Sequence, residues 1–117
     1  MPLNDTAKDL MLDALGAAAG YVSAHTADPG EAGASEVAGG TYAREAITWD
    51  ASYEGMLAAS NQPVIDIPAS TTVSFIGLNS AATEGTFYGS ADVDNEAFTN
   101  AGTYTVTSFE ITASDPA

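Results

Sequence analysis

Apolar residues recur at Ala7, Leu10, Met11, Ala14, Leu15 and Ala18, the spacing of one helical face, while Lys8, Asp9 and Asp13 fall off it. Asn4 and Asp5 are capping residue types, Asp5 and Asp9 lie in the first turns where the helix dipole favours negative charge, and Gly16 and Gly20 are stop signals. The pattern predicts a helix over residues 5–18. Its apolar face is narrow and alanine-rich, so it must dock on something larger, either the chain's own sheet or a neighbouring subunit.

After residue 20 the period changes to two. Residues 21–26 read as a short strand, and Asp28, Pro29 and Gly30 as a turn in which proline fixes one dihedral and glycine supplies the permissive one. Residues 31–40 are small and without periodicity, a surface loop, and residues 41–49 alternate as a strand that ends on Trp49. A weak strand follows at 56–59. A stronger one at 63–68 is bounded by prolines, which suits a sheet edge. Residues 72–78 are apolar on both faces and read as a central strand. Residues 86–90 form a short strand, 91–98 an acidic connection and 102–112 a closing strand. Within that last segment Tyr104 and Val106 share a parity that Phe109 and Ile111 do not, implying a bulge near Thr107 or Ser108. Residues 113–117 read as a polar, loose tail. The expected fold is mainly β: an antiparallel β-sandwich of about seven strands with one N-terminal α-helix, divided into a docking helix at 1–20 and a sandwich domain at 21–117.

Composition narrows the function classes. The 117 residues suit one core, and 45% hydrophobic residues argue against a disordered chain. Sixteen Asp and Glu against two Lys and Arg give a net charge of -14, which repels phosphate backbones and anionic lipid, so neither nucleic acid nor membrane is an expected partner. Stability has to come from burial and backbone pairing, and self-repulsion makes it sensitive to salt. The chain lacks cysteine, which removes disulfides and thiol chemistry. Three aspartates interrupt residues 1–20, which argues against a signal peptide or a membrane span and for a protein soluble where it is made.

Chemistry is sparse. His25, the sole histidine, shares a strand face with Ser23, yet no glycine-flanked nucleophile motif accompanies it; a structural histidine hydrogen-bonded near the loop is expected, with no catalytic residues. Asp92, Asp94 and Glu96 alternate in a way that suits a hard cation, but Ala97 and Thr103 occupy the positions of the EF-hand glycine and bidentate glutamate. They are a weak metal candidate, and a solvated acidic loop is the expectation, with no cofactor. Arg44, the only arginine, is expected to pair with Glu36 or Asp28 and tie the loop to its strand. Trp49 reads as core. The tyrosines Tyr53, Tyr88 and Tyr104 leave a glycan- or receptor-binding module as the alternative reading. Leu10, Met11, Leu15, His25, Asp28, Arg44 and Trp49 are the structural and interface candidates.

The run HTADPGEAGASEVAGGTYAREAITW, followed by QPVIDIPASTTVSFIGLNSAATEGTFYGSADV and GTYTVTSFEIT, resembles a family of small actinobacteriophage and tailed-phage virion structural proteins, tail-fibre-like or head-decorating. Its specific parts are the turn at His25–Gly30, the segment from Glu36 to Arg44 and the strand from Gly85 to Gly89. The resemblance implies a non-enzymatic surface component of the virion, assembled in host cytoplasm, present as a homo-oligomer or arrayed copies and docked on major capsid or tail subunits. It brings no catalytic residues.

Overall fold

The computed structural model describes residues 3–113, so the expected loose tail lies, beyond Ala113, outside the described residues. Helix α1 spans Asp5–Ala18, capped by the Asn4 side chain, whose Oδ1 accepts from the Ala7 N–H at 2.9 Å. Eight strands follow: β1 (Tyr21–His25), β2 (Glu45–Ala46), β3 (Met56–Ala58), β4 (Val64–Ile67), β5 (Thr71–Asn79), β6 (Phe87–Phe98), β7 (Gly102–Thr105) and β8 (Glu110–Thr112). All pairings are antiparallel. Four strands form one sheet in the order β2-β1-β5-β6, while β3 pairs with β8 and β4 with β7. The described chain extends over 48 × 26 × 25 Å.

One core joins these pieces. Val22, Ala24, Val73, Ile76 and Leu78 of the four-stranded sheet bury with Ile65 and Ile67 of β4 and with Val106 just after β7. Burial alternates along β4: Ile65 and Ile67 are inside, Val64 and Asp66 outside. β5 is central, as its two apolar faces require, with β1 on one side and β6 on the other. The proline-bounded β4 pairs with a single strand, which suits an edge.

Three expected elements differ. The strand at 41–49 shrinks to Glu45–Ala46 plus one isolated bridge between Trp49 and Ala59, because Gly39 and Gly40 turn the chain through positive φ and Tyr42 and Arg44 spend their side chains on a polar network. The acidic connection at 91–98 is instead the second half of the 12-residue β6. Asp92, Asp94 and Glu96 sit on its solvent face, and alternate carboxylates do not break a strand held by its ladder to β5. The closing strand at 102–112 is two strands. Its parity change marks the point where the chain leaves β4 and goes to pair with β3, so a change of partner replaces the expected bulge and raises the strand count to eight.

The helix is turned in an unexpected way. Leu12 is its buried large side chain, and Gly16 packs on Trp49 and Leu57, with 3.3 Å between Leu57 Cδ2 and a Cβ built at Gly16. Leu10 and Met11 are 70% and 50% exposed, and Ala14 and Ala18 are exposed beside them. Polar bonds hold the opposite side: Asp9 Oδ1 accepts from the Gly55 N–H and Asp13 Oδ1 from the Ser52 N–H, both at 2.9 Å, and Ser52 Oγ donates to the Asp9 carbonyl at 3.0 Å. Residues 53–56 form a two-residue hairpin in which Glu54 and Gly55 both have positive φ (52° and 77°), and Asp9 caps that turn.

Candidate functional site

Ser23, His25, Glu36 and Arg44 converge at one end of β1. His25 Nδ1 lies 2.8 Å from the Ala34 carbonyl oxygen, which only accepts, so Nδ1 carries the proton. Burial pulls the His25 pKa below its ordinary value of 6.5, against the bond to Ala34 and the charge of Glu36, and so the ring is neutral and Nε2 is an acceptor. Ser23 Oγ, 2.7 Å away, therefore donates to Nε2 and accepts in turn from Asn79 Nδ2 at 2.8 Å. Ser23, His25 and Asn79 are 0%, 1% and 3% exposed, so each polar group finds its partner inside the protein. The Phe87 ring, its centre 5.8 Å from the imidazole centre and inclined to it by 65°, closes the site. A serine bonded to a histidine is the start of a nucleophile pair, but here no face of either group opens to a substrate.

A second network seals the surface above. Arg44 makes a two-pronged bond to Glu36, Nε to Oε2 and Nη2 to Oε1, each 2.9 Å, and its Nη1 donates to the carbonyls of Ala81 and Glu84 at 3.0 and 2.8 Å. Tyr42 O–H donates to Glu36 Oε2 at 2.7 Å and accepts from the Ala24 N–H at 3.1 Å. One guanidinium thus ties the 26–37 loop, through Glu36, to the β5–β6 turn. Burial works to raise the Glu36 pKa, but the hydrogen bonds from Arg44 and Tyr42 outweigh it and hold the carboxylate below its ordinary 4.5. Burial and the Glu36 carboxylate push the Tyr42 phenol well above its usual range. Arg44 pairs with Glu36 and not with Asp28, whose Oδ1 accepts from the Gly30 N–H at 2.9 Å within its own turn.

The remaining candidates lie apart. Trp49 is partly buried, donates from Nε1 to the Ala19 carbonyl at 2.9 Å and meets the Phe109 ring edge-on at 6.0 Å. Leu15 packs partly against the core, whereas Leu10 and Met11 face outward. Among the described residues no group of three or more His, Cys, Asp or Glu side chains is placed to hold a metal ion. Tyr53 and Tyr88 are 72% and 42% exposed, and Tyr88 and Tyr104 line adjoining but separate hollows.

Sequence reasoning missed Asn79 and the bonds that Asp9 and Asp13 make to backbone N–H groups outside the helix. Four-residue spacing puts Asp5, Asp9 and Asp13 on one helical stripe, a signal that was present. Nothing local marked Asn79, which meets Ser23 across 56 residues.

This arrangement locks loops onto strands and keeps Ser23, His25 and Asn79 buried. Comparison with curated proteins finds no match to the chain. The family model described as podophage GP4 fiber I protein gp80 matches residues 10–114, nearly the whole chain, and the chain therefore belongs to that family of phage fibre proteins.

Proposed function

We propose that the protein is a structural, non-enzymatic component of a podophage tail fibre, held on neighbouring virion subunits through the outward stripe of α1. Membership of a fibre family supports the fibre reading over head decoration. The observation that carries the docking element is the stripe itself: Leu10 at 70% and Met11 at 50% exposure beside Ala14 and Ala18, on a helix whose other side is already bonded to its own chain. In this reading residues 1–20 dock, and the body after residue 20 is a sandwich whose second layer is built from the two-stranded pairs. The core shared by Ile65, Ile67, Val73 and Ile76 supports that layering.

Partners are other virion proteins and further copies of the chain, met in host cytoplasm during assembly. The charge of -14 speaks against nucleic acid, and no helix among the described residues is long and apolar enough to cross a membrane. Because Asp9, Leu12 and Asp13 hold the helix to the body, surface substitutions test docking better than deletion of the helix does. Phage carrying Leu10→Asp and Met11→Asp should yield purified particles depleted of this protein by quantitative immunoblot, with the isolated variant still folded. Wild-type occupancy would overturn the proposal.

A further inference from the structure

β6 ends the strand order of its sheet: one edge is bonded to β5, and the other to no strand among the described residues. It is also the longest strand, so a long row of backbone donors and acceptors lies open, a feature that folded proteins normally cover or blunt. Over the inward face of β6, reaching to Ile76 and Leu78 of β5, lie two adjoining hollows of about 320 and 300 Å3 that share Ala91, Phe109 and Glu110. Together they follow β6 from residue 88 to residue 93, with residues 104–112 as the far wall. Thr107 and Ser108 of that wall belong to no strand.

The groove has the two faces that an added strand requires. Gly89, Ala91 and Val93 share the inward parity of β6, and a Cβ built at Gly89 meets no atom within 4 Å, so room for a side chain is left there. Asp92 and Glu110 are exposed on the rim, with Asp94 and Glu96 continuing the charge along β6. Burial raises the Tyr104 pKa, and the carboxylates of Glu96 and Asp94 raise it further, which locates a negative potential at that end. Neither Lys8 nor Arg44 lines the groove.

We propose that the free edge of β6 is a docking site for an extended segment of another protein that alternates Lys or Arg with apolar residues, added as a further strand. Six residues, or roughly 20 Å of strand, fill the length beside residues 88–93. Apolar side chains enter the hollow at Gly89, and cations on the opposite face meet Asp92. A second copy of this chain is the wrong occupant, because edge-to-edge pairing would set Asp92, Asp94 and Glu96 against their own equivalents. The inference rests on the fold and is independent of the α1 docking proposal: peptide binding that survives Leu10→Asp separates the two.

The probe is a labelled, end-capped heptapeptide of alternating Lys and Val, compared by fluorescence anisotropy with its Glu-Val counterpart and with the same Lys-Val peptide N-methylated at every residue. The Lys-Val peptide should bind at least about tenfold more tightly than either control and slow exchange at alternate β6 amides. Asp92→Lys and Gly89→Leu should each weaken it by about tenfold; Asp92 lies on the solvent face, so that variant keeps the test valid if Gly89→Leu does not fold. Equal binding of the N-methylated peptide, no effect of Asp92→Lys, or no binding of the Lys-Val peptide would overturn the proposal. So would outward β6 amides already protected in the free protein, which would mean that a second copy closes the edge.

Discussion

Gly77 lies opposite Ser23 across the β1–β5 ladder, and a Cβ built at Gly77 would stand 2.6 Å from Ser23 Oγ and 2.7 Å from His25 Nε2. The glycine is there for space: its φ is not in the left-handed region, and the Ser23–His25 bond occupies the volume that any side chain would need.

Gly77→Ala should therefore destabilise the protein by about 1–3 kcal/mol, the usual range for overpacking a well-packed site. Ser23→Ala should cost about 1–3 kcal/mol, since it leaves His25 Nε2 and Asn79 Nδ2 without partners in a buried site. The double variant should cost less than the sum, because removing Oγ relieves part of the clash. Urea unfolding of the four proteins checks this; strict additivity would show that the two positions do not share that space.

The Arg44 clamp predicts a difference between cations. Arg44→Lys keeps the charge but cannot reach both Glu36 oxygens and two carbonyls, so it should lose about 1–2 kcal/mol, and Arg44→Ala somewhat more. Hydrogen exchange in residues 80–86 should rise in both variants, because the guanidinium bonds the carbonyls of Ala81 and Glu84. An unchanged exchange pattern there would show that the turn holds its own shape.

Acid should weaken both networks, each in its own window. His25 has a folded pKa below 6.5, so its contribution is complete above about pH 6.5 and is lost as the pH falls through the lower folded value. Glu36 is held below 4.5, and its contribution is lost at still lower pH. Protonating the many surface carboxylates relieves self-repulsion at the same time, so the informative quantity is the difference between variants. The Tm gap between wild type and His25→Gln should narrow as the pH drops from 7 toward 5, and the gap to Glu36→Gln should narrow only below about 4.5. A His25→Gln gap that widens on acidification would mean that the folded protein favours the charged ring, against the assigned neutral state.

Asp9 and Asp13 fasten the helix to the hairpin. Asp9→Ala should cost about 1–2 kcal/mol by leaving the Gly55 N–H without its acceptor, whereas Asp9→Asn, which keeps a carbonyl oxygen, should cost less. Thermal unfolding of the two variants distinguishes a specific turn cap from a general charge effect, for which Asn would be as costly as Ala.

The sequence by itself determined the elements that local rules govern. The Asn4 cap and the 5–18 period define α1, flanking prolines mark β4, apolar residues on both faces mark β5 as central, and the break in parity after Val106 marks a real change in the chain's course. Tertiary structure alone decided which elements meet. Periodicity finds an apolar stripe on α1 but not which side faces the body, and here two aspartates with backbone N–H partners some 40 residues away hold the polar side inward. Composition made residues 91–98 look like a connection, yet pairing with β5 keeps them in one strand, because a ladder restrains the backbone whatever the solvent-facing side chains carry. Glu36 and Asp28 were equal candidates for Arg44. The choice fell to Glu36 because the loop folds back to bridge His25, and that closure is set by contacts distant in sequence.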